Sequence, residues 1–258
     1  MKSSRPNSPR EITRKLAHMP LLILLDYDGT LTDFKNNPEQ SRISGSTRSL
    51  LYRLRRRHQL IMVTGRYADS LEKVSGLRRI PIVGTHGFEA RNLPHQIRFT
   101  SPSLQSRFKR EAESLWLSLQ GLPGNYPGIH IEKKPYSSTL HFRGADFTPA
   151  QERRLAAEFK KRFRQSTTRG LWALHDGKKM LEAMPRGFSK GKSVLKILAK
   201  FPGHFPLYAG DDLGDISVLR VLKGRGLRIA VGGRIPDRYC DLRFESPRRF
   251  VQWLRGLA

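Results

Sequence analysis

The chain has 258 residues, 38% of them hydrophobic, and sets 48 Lys and Arg against 22 Asp and Glu for a formal net charge of +26. That length makes one large domain or two modest ones with ample material for a core, which excludes intrinsic disorder and small disulfide-stapled scaffolds. A single cysteine, Cys240, allows no intramolecular disulfide and no paired spacing for zinc or thiol redox chemistry, and it fits a reducing cytoplasm.

In chain order, residues 1–18 (MKSSRPNSPREITRKLAH) are polar, basic and proline-containing, and read as a flexible basic tail. The following run, Met19 to Leu25, is far shorter than the roughly 20 apolar residues a membrane-spanning helix needs. It passes into Asp26 and Asp28 without the small-residue cleavage site of a secretory signal, so a buried strand is expected and a membrane is not. Thr47 to His58 places Leu50, Leu51 and Leu54 at helical spacing. LIMVTGR (Leu60 to Arg66) reads as a second buried strand, Tyr67 to Ser75 as a helix and IPIVGTHG as a third strand. Strands alternating with helices predict a parallel sheet with right-handed crossovers.

After Phe99 the pattern changes. Pro102 to Leu119 is helical, and Ile129 to Lys134 and Thr139 to Arg143 alternate with period two as a hairpin. A helix over Pro149 to Arg164 precedes LWALHDGKKMLEAMP, where Asp176-Gly177 is the expected hairpin turn. The βα pattern then resumes with a helix over Lys190 to Lys200, the strand FPLYA, a helix over Leu213 to Leu222 and the strand LRIAVGG. The prediction is an α/β core at 19–99 and 185–258, interrupted by an α+β unit at 100–184.

So basic a chain attracts anions. The cations are spread along its length, and the densest clusters, Tyr52 to His58 and Phe159 to Arg164, lie in amphipathic helical patterns that read as solvated faces. No zinc finger, RRM signature or Gly-rich basic repeat is present, so nucleic acid is not expected as a partner despite the charge; a phosphorylated small molecule uses the same field.

Four elements carry chemistry. Asp26-Tyr27-Asp28-Gly29-Thr30 follows a buried apolar run; such a string arises by chance in about one chain of this length in several hundred. Two carboxylates at this spacing can hold one Mg²⁺ and divide nucleophilic and acid/base duties. Thr64-Gly65-Arg66 ends another strand, where a hydroxyl and amides can bind a phosphoryl oxygen. Ser189-Lys190-Gly191-Lys192 opens a helix, where amides and a lysine neutralise phosphate. Gly210-Asp211-Asp212-Leu213-Gly214-Asp215 sets three carboxylates within five residues, a repulsion that a divalent cation offsets.

Their order and strand-end placement resemble the haloacid dehalogenase-like (HAD) phosphohydrolases, which implies a Rossmannoid core with an inserted cap. The resemblance implies that Asp26 attacks phosphorus and that Asp28 acts as acid and then base. Mg²⁺ would lie between the Asp26 carboxylate, the Asp28 backbone carbonyl and Asp211, with Asp212 and Asp215 in support. Thr64 and Lys190 would hold the transferring group.

In the insert, His130, Glu132, Lys134, Thr139, His141 and Arg143 alternate onto one face, which suits either solvent or sugar hydroxyls. The segments GTHGFEAR, EKKPYSSTLHFR and LEAMPRGFSKG are similar to the trehalose-6-phosphate phosphatase family over about Leu22 to Val231. That likeness implies that Glu132, Lys134 and Glu182 bind hydroxyls of the glucose ring without the phosphate. Gly65 and Arg66 would contact substrate, and Arg143, His86 and Glu89 either substrate or the seam between cap and core. The family commonly has an acidic residue where this chain has Ile216, and does not generally show so high a charge. A monomeric cytoplasmic Mg²⁺-dependent phosphatase is expected. The alternatives are the same chemistry on glucosylglycerol, glycosylglycerate or sucrose phosphate, or a nucleic-acid-binding protein on the same fold without turnover.

Overall fold

Leu21–Leu25 is strand β1, and every one of its side chains is buried. The computed structural model describes residues 8–33, 38–94, 97–177 and 179–258. Two compact units emerge: Phe188–Ala258 joins the part of the chain before Thr100, and Thr100–Gly187 forms the other.

The first unit is built on a seven-stranded sheet. Its strands are β1, β2 (Gln59–Val63), β3 (Ile82–Gly84), β4 (Glu89–Arg91), β9 (Phe205–Gly210), β10 (Leu227–Val231) and β11 (Leu242–Phe244), in the order β11-β10-β9-β1-β2-β3-β4. All neighbours are parallel except β4, which runs antiparallel to β3. Alternation sends Leu21, Ile23 and Leu25 into one apolar layer and Leu22 and Leu24 into the other. The first layer is completed by α1 (Pro9–Leu16), α2 (Gly45–Arg57), α3 (Ala68–Ser75) and α9 (Pro247–Leu254). The second is covered by α7 (Lys190–Leu198) and α8 (Ile216–Val221). Each fully buried leucine contributes about 2 kcal/mol of transfer free energy, which accounts for a doubly buried central strand with no polar residue.

In the second unit, α4 (Pro102–Leu119) and α6 (Pro149–Ser166) flank a short helix α5 (Leu122–Asn125) and the strands β5 (His130–Lys134) and β6 (Ser137–His141). With β7 (Trp172–Gly177) and β8 (Met180–Pro185) these make an antiparallel sheet of order β5-β6-β8-β7. Phe108, Ala112, Leu115 and Leu119 of α4 are buried at helical spacing, and Ser138 Oγ donates to Ala112 O at 3.0 Å, which identifies the face of β6 turned to α4. Register pairs Glu132 with Thr139 and Thr139 with Glu182, so the polar residues share the opposite face.

Three sequence expectations need correction. The expected basic tail is helical over Pro9–Leu16, because Ser8 and Glu11 form a capping box, Pro9 opens the first turn and Leu16 is buried. Residues 1–7 lie outside the described residues. Asp176 and Gly177 do not form the hairpin turn: they are strand residues that pair with Leu181 and Met180, and Lys179 beyond them takes φ 58°. The helix expected over Leu213 to Leu222 begins as a 3-10 turn, Leu213–Asp215, because Asp212 caps it. Strands β4 and β11 and helices α5 and α9 were not anticipated from the pattern, each being too short or too arginine-rich to show a period.

Candidate active site

The carboxyl ends of three adjacent strands bring the motif residues together. Asp26 follows β1, Thr64 follows β2 and Asp211 follows β9, each 8% exposed or less. Parallel strands aim their carboxyl ends the same way, so residues distant in sequence converge on one edge. The Asp26 amide is tied to Ala209 O at 3.0 Å. Tyr27 turns into the core and donates to Ser41 O at 2.7 Å, which fixes the loop between the two aspartates. Gly29 takes φ 74°, and a Cβ there would lie 2.2 Å from Asp211 Oδ2; the position demands glycine for conformation and for space alike.

Lys190, at the first turn of α7, is 4% exposed. Its Nζ donates to Asp26 Oδ1 at 2.8 Å and to Asp215 Oδ1 at 2.7 Å. Asp215 also accepts from Tyr208 Oη at 2.5 Å and from the amides of Asp211 and Asp212 at 2.9 and 3.1 Å. Burial alone would raise Asp215, but the Lys190 charge and these donors outweigh it and hold the carboxyl low. Asp26 goes the other way: burial first, then the charges of Asp215 and Asp211, push it well above the ordinary range against the pull of Lys190. Burial and the neighbouring Asp215 and Asp212 carboxylates raise Asp211 to about 7. Asp212 is used locally, accepting from the amides of Gly214 and Asp215.

One carboxylate oxygen each from Asp26, Asp211 and Asp215 lies within 4.8 Å of the others. This donor set fits a hard divalent cation, because it is all oxygen and because the strain on Asp26 and Asp211 is the strain that added positive charge relieves. Asp215 already receives four donors, which suits it to orient Lys190 and the Asp211 loop. The Asp28 carboxylate is gripped by Arg66, whose Nε and Nη2 donate to its two oxygens at 2.5 and 2.6 Å.

Thr64 is 1% exposed, and its Oγ1 accepts from the Arg66 amide at 3.1 Å, closing the turn that carries Gly65. His86 and Glu89 brace this turn from behind. Thr85 and His86 both have positive φ, 49° and 55°; their amides donate to Arg66 O and Thr64 O, and a Cβ on Gly65 would meet the His86 ring at 2.8 Å. Glu89 Oε1 accepts from the Ala68 amide at 2.8 Å and from Thr85 Oγ1 at 3.0 Å, holding the strained pair in place.

On the insert's polar face Lys134 Nζ donates to Glu182 Oε1 at 2.9 Å and lies 3.6 Å from Glu132 Oε2. His141 Nε2 is 3.0 Å from the same Glu132 oxygen, and Ser137 Oγ donates to Glu182 Oε1 at 3.0 Å. Burial opposes the Lys134 charge, yet the two glutamates hold its pKa above the ordinary value. Glu132 is kept low, His141 and Lys134 overcoming its burial. The Thr139 hydroxyl on this face is buried without a partner among the described residues. Arg143 lies just past β6 and is exposed. Residues the motifs did not reveal are Tyr208, Ser137 and Thr85; only the lone tyrosine within an apolar strand gave any signal for the first.

A parallel sheet whose β1 ends in the DYDGT loop, with a buried lysine across from it, defines a HAD-like core, and the insert stands where such proteins carry a cap. The family described as Trehalose-phosphatase matches residues 24–233, and the chain belongs to it. A trehalose-6-phosphate phosphatase of Escherichia coli (strain K12) is 30% identical over 217 residues, covering 80% of this chain and 76% of the relative. An alpha,alpha-trehalose-phosphate synthase [UDP-forming] B of Dictyostelium discoideum is 32% identical over 206 residues, 78% of this chain but only 25% of that protein. Among solved structures, the C-terminal domain of a C. albicans trehalose-6-phosphate phosphatase superposes with a TM-score of 0.71 at 21% identity, covering 100% of each chain. Among the described residues no helix is long and apolar enough to cross a membrane.

Proposed function

We infer that this chain hydrolyses trehalose 6-phosphate to trehalose and inorganic phosphate. The observation that carries the reading is the Asp26 carboxylate, buried at the end of β1 beside Lys190 and Asp211, in a chain of this family. Asp26 attacks phosphorus and the ester oxygen leaves as an alcohol, taking a proton from Asp28; the product on the enzyme is an aspartyl phosphate. Asp28 then takes a proton from water, whose oxygen attacks phosphorus and frees Asp26. Arg66 sets where the Asp28 carboxyl lies. Lys190 and the Thr64 hydroxyl hold the transferring phosphoryl oxygens. Asp26, Asp211 and the Asp28 carbonyl would hold Mg²⁺, which would neutralise charge on the phosphoryl group.

Glu132, Lys134 and Glu182 take hydroxyls of the glucose ring that carries no phosphate. Each acid can keep its cationic or hydroxyl partner and offer its remaining lone pairs to sugar hydroxyls, so no buried charge loses its counter-charge. The protein works in the cytoplasm, a reading supported by its single cysteine. Phosphate release from trehalose 6-phosphate, measured beside sucrose 6-phosphate, glucosylglycerol phosphate and glucose 6-phosphate, tests the substrate. A strong preference for the first supports it, and preference for another ester overturns it while leaving the chemistry.

A further inference from the structure

Along the sequence the cations look evenly spread, but the fold gathers many of them on one face of the core. Helices α1, α2 and α9 all pack on the same side of the seven-stranded sheet, contributing Leu16, Leu50, Leu51, Leu54, Phe250 and Leu254 to one apolar layer. They are neighbours. Trp253 Nε1 of α9 donates to Pro9 O of α1 at 3.0 Å; just past α9, Arg255 reaches Ser46 Oγ of α2 at 3.5 Å and Leu257 O meets His58 Nε2 at the far end of α2 at 3.0 Å.

Their outward charged residues are cationic with one exception. The exposed charges of α1 are Arg10, Arg14, Lys15 and Glu11, and Glu11 is engaged in the Ser8 capping box. Helix α2 exposes Arg48, Arg53 and the run Arg55–Arg57 without a single acid. Helix α9 exposes Arg248 and Arg249, also with no acid, and the turn after it adds Arg255. None of these arginines forms an ion pair with a carboxylate among the described residues. Like charges this dense repel one another, and a fold that leaves these arginines without carboxylate partners carries a field suited to a polyanion.

We propose that the face of α1, α2 and α9 binds the phosphate backbone of duplex nucleic acid without reading its sequence, beside and independently of the phosphatase activity. The layer backs onto strands β11 to β2, about 19 Å across at ordinary strand spacing. About 20 Å of B-form duplex carries on the order of a dozen phosphate charges, a match in number and extent for the cations of this face. Arginine is also the cation whose planar fork fits phosphate. A lipid surface fits less well. The large apolar side chains exposed among the described residues are Met19, Leu117, Leu195 and Leu213, none of them on these helices, so the face has nothing to insert between acyl chains.

The test is fluorescence anisotropy of a labelled duplex of about 20 base pairs titrated with the full chain between about 50 and 200 mM salt. Reversing Arg53, Arg56, Arg248 and Arg249 to Glu should lower the slope of log affinity against log salt by about 3 to 4 and weaken binding at least about 100-fold. Phosphate release should be unchanged. Reversing Arg153, Arg154, Lys161 and Arg164 of α6 alters net charge equally, and on this proposal costs less than about fivefold. Equal losses in the two variants would reduce the effect to total charge and overturn the assigned face. So would absence of duplex binding, or binding only to vesicles one third phosphatidylserine.

Discussion

At the ends of β1 and β9 four carboxylates, of Asp26, Asp211, Asp212 and Asp215, surround the single ammonium of Lys190. On the polar face of the insert, by contrast, Lys134 lies between Glu132 and Glu182 with His141 alongside. The first cluster is almost wholly removed from water and has an excess of negative charge; the second is half-buried and nearly balanced. Burial makes the imbalance expensive, so the core cluster is organised for a cation and for one reaction coordinate. In the insert's cluster the charges are already paired without any ligand, and the remaining lone pairs of the two acids can take a hydroxyl at small net cost.

Breaking the core side of that contrast should produce the largest effect. Asp26→Asn keeps shape and removes the carboxylate proposed to attack phosphorus; turnover of trehalose 6-phosphate should fall by about 10⁴ or more with an unchanged circular dichroism spectrum. Residual turnover near wild type would remove Asp26 from the chemistry. Lys190→Met leaves Asp26 and Asp215 buried without their shared cation, and about 3–5 kcal/mol of stability should be lost in urea unfolding, together with activity. If unfolding were unaltered, the three groups would not be coupled in solution. Chelation with EDTA should stop phosphate release, and added Mg²⁺ should raise the melting temperature of the wild type but not of Asp211→Asn.

The insert should respond more gently. Glu182→Ala removes the carboxylate proposed to take a sugar hydroxyl and should raise KM for trehalose 6-phosphate by about tenfold or more. Hydrolysis of a small aryl phosphate should stay within about twofold of wild type. Equal damage to both substrates would make the polar face structural. The smallest effect is expected away from both clusters. His58 is 7% exposed with Nδ1 unpartnered; burial, and the nearby Arg57 and His204, hold its pKa below the ordinary value. A histidine lowered on folding stabilises the protein above its unfolded pKa and loses that contribution as pH falls through the folded one. The melting temperature should therefore drop by a few degrees from about pH 7.5 to 5, and His58→Gln should flatten that drop.

Much of the core site was legible in the sequence because its chemistry is local. Asp26 with Asp28, and Asp211 with Asp215, each sit within one short loop directly after an apolar strand, and a strand end is where a parallel sheet exposes such groups. The polar face of the insert was legible for a similar reason, since a period of two sorts Glu132, Lys134 and His141 to one side. What escaped depends on partners far apart in the chain. Arg66 is 38 residues from the Asp28 it grips, and Trp253 is 244 residues from the Pro9 carbonyl it anchors. The first helix was hidden because its buried face amounts to little beyond Ile12 and Leu16, too narrow a stripe to outweigh its arginines.

The position of β1 has one more consequence, for the order in which the protein is made. This most apolar strand pairs on one side with β2, synthesised soon afterwards, and on the other with β9, which begins about 180 residues later. At about 5–20 residues per second of translation, one flank of LLILL waits roughly 10 to 40 s for its neighbour while the whole insert emerges. During that interval the nascent chain presents an unpaired, uncharged strand edge, which is the template that invites association with other chains. The antiparallel sheet of the insert closes within its own sequence, so a ribosome stalled before Phe205 holds a completed second unit tethered to an open-edged first one.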